Sequence, residues 1–119
     1  MTKIKTARVY EGLPPGWHPI LVDRLWPRGV SKQQLAGVTW LKQVGPSHDL
    51  RQWFGHDPAR FEEFAKRYRA ELTGDNAQAF TELLDVVRGF DQVVLLYSAH
   101  DTKHNQAVVL AAMLREALE

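Results

Sequence analysis

Two short apolar runs, Ile20-Leu21-Val22 and Val93-Val94-Leu95-Leu96-Tyr97, constrain this chain more than any other feature. A strand with one face in water alternates polar and apolar side chains. A strand that is apolar at successive positions is covered on both faces, as a central strand of a parallel sheet is. Each run also ends in polar or charged residues, Asp23-Arg24 in one case and Ser98 to Asp101 in the other. In open α/β sheets, ligands bind just beyond the carboxyl ends of the strands.

The rest of the chain supplies strands and crossover segments around these runs. Lys3 to Tyr10 alternates, with Ile4, Ala7 and Val9 among polar neighbours, and predicts a first strand. Glu11 to Trp17 contains Pro14-Pro15-Gly16 and reads as a loop. Val30 to Ala36 predicts a short helix, with Ser31 and Gln34 spaced as a capping box and Gly37 as its stop. Val38 to Leu41 is β-prone and predicts a third, short strand. Ser47 caps a short helix through Trp53, stopped by Gly55.

Asp57-Pro58 opens the clearest helix, with Phe61, Phe64, Ala65, Tyr68 and Leu72 along one face. On its outer side Glu62/Lys66 and Glu63/Arg67 stand four apart, acid first. Asn76 to Arg88 predicts a second amphipathic helix, and about Lys103 to Leu118 the last. Together these give a single α/β domain over residues 1–119. It is a small three-layer sandwich with a short, mostly parallel sheet of three or four strands and about five helices.

Composition narrows the function classes. With 45% hydrophobic and 24% charged residues the chain reads as a soluble globule. Its apolar runs are far shorter than the ~20 residues that span a bilayer, so no membrane partner is expected. No apolar signal-peptide core follows the N-terminus, and there is no cysteine. Disulfides and thiolate catalysis are thereby excluded, and a cytoplasmic location is expected. Net charge is only +1, but residues 1–56 hold eight Lys/Arg against three Asp/Glu, whereas residues 57–119 hold seven against eleven. A basic front half can attract phosphate, a carboxylate or nucleic acid, or be a solvated face.

The candidate site gathers from the loops after the two apolar runs. Arg24 and Arg28 are candidates for holding an anion, since arginine forks match carboxylate and phosphate. Trp26, Lys42, Arg51, Ser98 and Asn105 are further ligand-binding candidates, and the start of the last helix favours an anion. His104, oriented by Asp101, is the candidate acid–base, with His56 as a third catalytic candidate. Each has a plain alternative: Arg24 paired with Asp23 or Asp101, Trp26 packed beside its turn, His56 in a local hydrogen bond. His100, Asp101 and His104 lack the spacing of a specific metal set, so no metal or other cofactor is assigned. Glycine-rich phosphate loops and a Gly-x-Ser-x-Gly elbow are absent. Nothing takes the form of a helix-turn-helix or zinc finger, which leaves nucleic acid a weak partner.

Several motifs carry a family resemblance: Val22-Asp23-Arg24-Leu25-Trp26-Pro27-Arg28-Gly29, Trp40-Leu41-Lys42, Pro46-Ser47, Trp53-Phe54-Gly55-His56-Asp57, Phe61, Tyr68, Leu96-Tyr97, Asp101 and His104-Asn105. With them the chain resembles the YeaO-like family of small bacterial proteins, a domain-of-unknown-function family. The resemblance covers nearly the whole chain and implies a compact α/β domain with no established reaction. Broader relatives carry Cys-x-Glu and Cys-His-Arg where this chain has Tyr97-Ser98-Ala99 and Asn105-Gln106-Ala107. The strand–loop–helix form is also similar to rhodanese and cysteine-phosphatase sites, without their nucleophile; a shared loop shape does not transfer function.

The leading expectation is a protein that binds a small anionic ligand in a polar Arg/His/Asp pocket. The alternative is a structural or interaction protein, nucleic-acid-associated or not, whose Arg/Asp/His network serves stability. The sequence assigns neither a reaction nor an oligomeric state.

Overall fold

The two apolar runs become neighbours in a parallel sheet. The computed structural model describes residues 2–119. Its strands are β1 (Lys3–Arg8), β2 (His18–Leu21), β3 (Thr39–Trp40) and β4 (Gln92–Tyr97), in the spatial order β1-β4-β2-β3. Every pairing is parallel. β4 lies against β1 from Lys3↔Gln92 to Arg8↔Tyr97 and against β2 from His18↔Val93 to Leu21↔Leu96. β4 is thus hydrogen-bonded on both edges and covered on both faces, which is why Val93 to Tyr97 are all buried.

The pleat sends alternate side chains to two separate cores. Ile4, Ile20, Val22, Val93, Leu95 and Tyr97 face one core. It is closed by α1 (His48–Phe54), α2 (Phe61–Thr73), α3 (Ala77–Arg88) and α4 (Gln106–Leu118). Leu21, Val94 and Leu96 face the other, where Val9, Leu35, Trp17, Trp26, Val38 and Trp40 cover them. The sheet is therefore the middle layer, with α-helices on one side and turns on the other. Among the described residues there are four α-helices, and none is long and apolar enough to cross a membrane.

The expected fifth helical segment is part of the turn layer. Residues 30–36 form no helix, although the capping box is made: Ser31 N–H donates to Gln34 Oε1 (2.6 Å) and Gln34 N–H to Ser31 Oγ (3.2 Å). Positive-φ glycines at 29 and 37 bracket the segment, and Leu35 is its one buried side chain. That is too little length and burial to offset the cost of helix nucleation.

Other boundaries shift for local reasons. β1 stops at Arg8, opposite the last residue of β4, and Val9–Glu11 turn into a 3₁₀ segment. β3 is only Thr39–Trp40. The Asp57 cap holds, accepting from Ala59 N–H, but its first turn is 3₁₀ and the α-helix begins at Phe61. α4 starts at Gln106 because Asp101 Oδ1 takes the Lys103 and His104 N–H groups in a separate turn.

Candidate functional site

Because all four strands point the same way, the segments that follow them meet at one end of the sheet. There they enclose a cleft of about 680 Å³. Arg8 comes from the last position of β1 and Tyr10 from the turn after it, Asp23 to Arg28 from the loop after β2, and Ser98 to His100 from the loop after β4. Pro46 and, from α1, His48, Arg51 and Gln52 close the side after β3; Phe54, His56 and Phe64 complete the wall, and Gln106 opens α4.

Asp23 lies at the junction of these loops. It is 7% exposed. Its Oδ2 accepts from Ser98 N–H (3.0 Å) and its Oδ1 from the Gln106 side-chain amide, so one carboxylate ties β2, β4 and α4 together. Burial pushes its carboxyl above the ordinary aspartate range, and the Ser98 and Gln106 bonds and the nearby His56 partly offset this.

The arginines divide into two groups. Arg24 spends its Nε on Pro46 O (3.0 Å) and its Nη2 on Gly45 O (2.7 Å), clamping the β2 loop to the entrance of α1. Arg8 donates through Nε to Ala99 O (3.0 Å), meets His100 Nδ1 at 3.3 Å and lies over the Tyr10 ring. Arg28 is exposed, and its guanidinium makes no hydrogen bond among the described residues; its carbonyl holds the Tyr10 hydroxyl at 2.9 Å. Arg51 is half-buried. Its Nη2 lies 3.4 Å from His48 Nδ1, and its Nε is shut off from solvent with no acceptor. Among the described residues, none of these four arginines forms an ion pair.

The other aromatic and histidine residues have local reasons for their places. Trp26 donates its indole N–H to Val30 O (2.6 Å) and meets Trp40 edge-on, so it anchors the turn layer while lining the cleft. His56 follows the αL residue Gly55 and itself has φ 57°, a conformation uncommon outside glycine. It holds its ring beside Phe54 at the cleft wall. Upstream, Ser47 caps α1 by accepting from Leu50 N–H, and its own N–H and hydroxyl donate to the Glu71 carboxylate of α2. The helix carrying Arg51 is thereby fixed at its origin.

Of the residues expected from sequence, the structure brings Arg24, Trp26, Arg28, Arg51, His56 and Ser98 to the cleft. Lys42, Asp101, His104 and Asn105 lie outside its lining. Lys42 sits over the Trp40 ring. His104 and Asp101 do pair, Nδ1 to Oδ2 at 2.8 Å, with His104 edge-on to Phe61. Hydrogen bonds from Lys103 N–H and His104 hold the Asp101 carboxyl below its usual range. Asn105, 1% exposed, donates to Asp101 O and caps α4 by accepting from Val108 N–H. Among the described residues, no group of three His, Asp or Glu is arranged to hold a metal ion. Sequence reasoning did not assign roles to Arg8, Tyr10, His48, Gln52 or Gln106; Arg8 and Tyr10 sit at and just past the end of β1, and His48 and Gln106 open α1 and α4, whereas Gln52 inside α1 carries no such signal.

A family model described as the inactive DUF488-N3 subclade matches residues 3–119. The chain belongs to this family. The chain is similar to the uncharacterised YeaO protein of Escherichia coli, 40% identical over 113 residues, 94% of this chain and 96% of that one. Uncharacterised proteins of Mycobacterium tuberculosis and Mycobacterium bovis are 39% identical over 114 residues, 95% of this chain and 94% of theirs. No solved structure matches the chain.

Proposed function

We propose that the chain binds a small anionic ligand in the cleft at the C-terminal ends of its strands. The observation that carries this reading is the balance of charge: four arginines line the cleft against the single carboxylate of Asp23. Cationic side chains gathered in a partly walled space focus a positive potential onto it, and guanidinium forks suit carboxylate and phosphate oxygens. The position agrees with the rule that α/β sheets bind ligands beyond their strand ends. The family's description as an inactive subclade supports binding without turnover. Arg28 and Arg51 are the ligand contacts in this reading, and His56 belongs to the cleft wall. The Asp101–His104–Asn105 group holds the start of α4.

A thermal-shift screen over phosphate, sulfate, small carboxylates, nucleotides, sugar phosphates and divalent metals tests it. One class of anion should raise the melting temperature in a saturable way, because a ligand that binds only the native state stabilises it. Arg28→Gln should reduce that shift without lowering the ligand-free melting temperature. A flat screen would overturn the reading. A second reading, a structural or interaction protein, is favoured by the carbonyl bonds of Arg8 and Arg24. A flat screen joined to an Arg24→Ala variant that melts far lower would select it.

A further inference from the structure

We infer that the cleft takes an apolar-bodied organic anion with a single oxyanion group, the oxyanion gripped by Arg51 and the body lying along Trp26, Pro27 and Phe54. This inference rests on the anion-binding reading and names its ligand class and its principal contact.

The assignment to Arg51 follows from what the other arginines already do. The Nε groups of Arg8 and Arg24 both donate to backbone carbonyls, and Arg24 Nη2 does so as well. Arg28 stands at the exposed rim, where solvent weakens any grip. Arg51 alone combines partial burial, a place in the lining and a buried Nε–H without an acceptor. Leaving a buried donor unsatisfied is costly, above all on a charged group. A carboxylate or phosphate set side-on to Nε and Nη2 removes that cost with two charge-assisted hydrogen bonds. Nε is covered in this structure, so the grip turns the guanidinium toward the cleft.

The apolar body follows from size and lining. A bare oxyanion fills a small part of a 680 Å³ cleft, which lies within the ~300–1,000 Å³ range of small-molecule sites. Much of the remaining wall is apolar: Leu25, Trp26, Pro27, Pro46 and Phe54. Leu25 is 62% exposed, and a ligand body laid against it would bury apolar surface now in water. The restriction to one oxyanion follows from Asp23, whose carboxylate beneath Ser98 stands where a second anionic group would reach the β4 loop.

Isothermal titration of the full chain with acetate, benzoate, inorganic phosphate and phenyl phosphate tests the inference. Benzoate and phenyl phosphate should bind at least tenfold tighter than acetate and inorganic phosphate. Arg51→Met should lose at least tenfold of the aryl-anion affinity, and so should Arg51→Lys, which keeps the charge but not the fork. The ligand-free melting temperature of Arg51→Met should be unchanged or higher, since the unsatisfied donor is gone. Lys66→Gln, on the outer face of α2, serves as the charge control. If acetate and phosphate bind as tightly as their phenyl counterparts, the apolar body is overturned while the anion reading stands. Undiminished aryl-anion binding by Arg51→Met would overturn the assignment to Arg51. If no probe binds the unaltered chain, the anion reading itself fails, and this inference with it.

Discussion

Arg24 works with the glycine it clamps. A Cβ added to Gly45 would lie 3.0 Å from both the backbone nitrogen and the Cβ of Arg24, a tight contact that Arg24 must relieve by giving way a few tenths of an ångström. Gly45→Ala should therefore push the β2 loop away and loosen both Arg24 bonds, costing about 1–3 kcal/mol in denaturant unfolding. Two carboxylates set opposite pH dependences. Asp23 titrates above its unfolded value, so the native state binds that proton more tightly than the unfolded chain. Its stability contribution is full below the unfolded aspartate pKa, about 3.9, and is lost as pH rises through the native pKa. Asp101 titrates below its unfolded value, so its contribution is present above that value and is lost as pH falls through the native pKa. Melting curves across pH should show Asp23→Asn gaining on the unaltered protein as pH rises from about 4, until the native Asp23 has titrated. Asp101→Asn should lessen the loss of stability at the acid end. At this scale the sequence exposed the ingredients of the site but not their allocation. Arg24 and Arg51 look equivalent in a string of residues, and only the placement of Gly45 and Pro46 decides which of them is already occupied.

Elements with their own periodicity and caps were the most readable. The stripe of Phe64, Tyr68 and Leu72 on α2 is buried as the spacing predicts, and Phe64 stacks on Phe54 at 4.2 Å to seat α1. The outer Glu63–Arg67 pair forms as well, at 2.9 Å. Tyr68 also donates its hydroxyl to Val44 O, joining the middle of α2 to the segment before Gly45. Tyr68→Phe keeps the ring but leaves that buried carbonyl without its donor, and should cost about 1–2 kcal/mol by chemical denaturation. Elements that depend on tertiary partners were less readable. The 30–36 segment has helix signals at its start and end, yet a single buried leucine keeps it as turns. The end of β1 is set by where β4 stops, 89 residues later in the register Arg8↔Tyr97, and nothing near Arg8 announces it.

Across the molecule, the sheet has two unlike faces. Four helices, among the described residues, cover one; turns fastened by Trp17, Trp26 and Trp40 cover the other. Hydrogen exchange should reflect this, with amides of residues 26–37 exchanging well before those of β4, because turns with few ladder hydrogen bonds open locally at low free energy. The order β1-β4-β2-β3 also sets a timetable. β1 and β2 are made early, but neither pairs with the other; each pairs with β4, near the end of the chain. During synthesis both must wait with open edges until residues 92–97 have left the ribosome. Closing such distant contacts is slow, and exposed strand edges invite association. The last quarter of the chain therefore acts as the key that locks the first, and the nascent protein depends on the edges of β1 and β2 that face β4 remaining unpaired until it arrives.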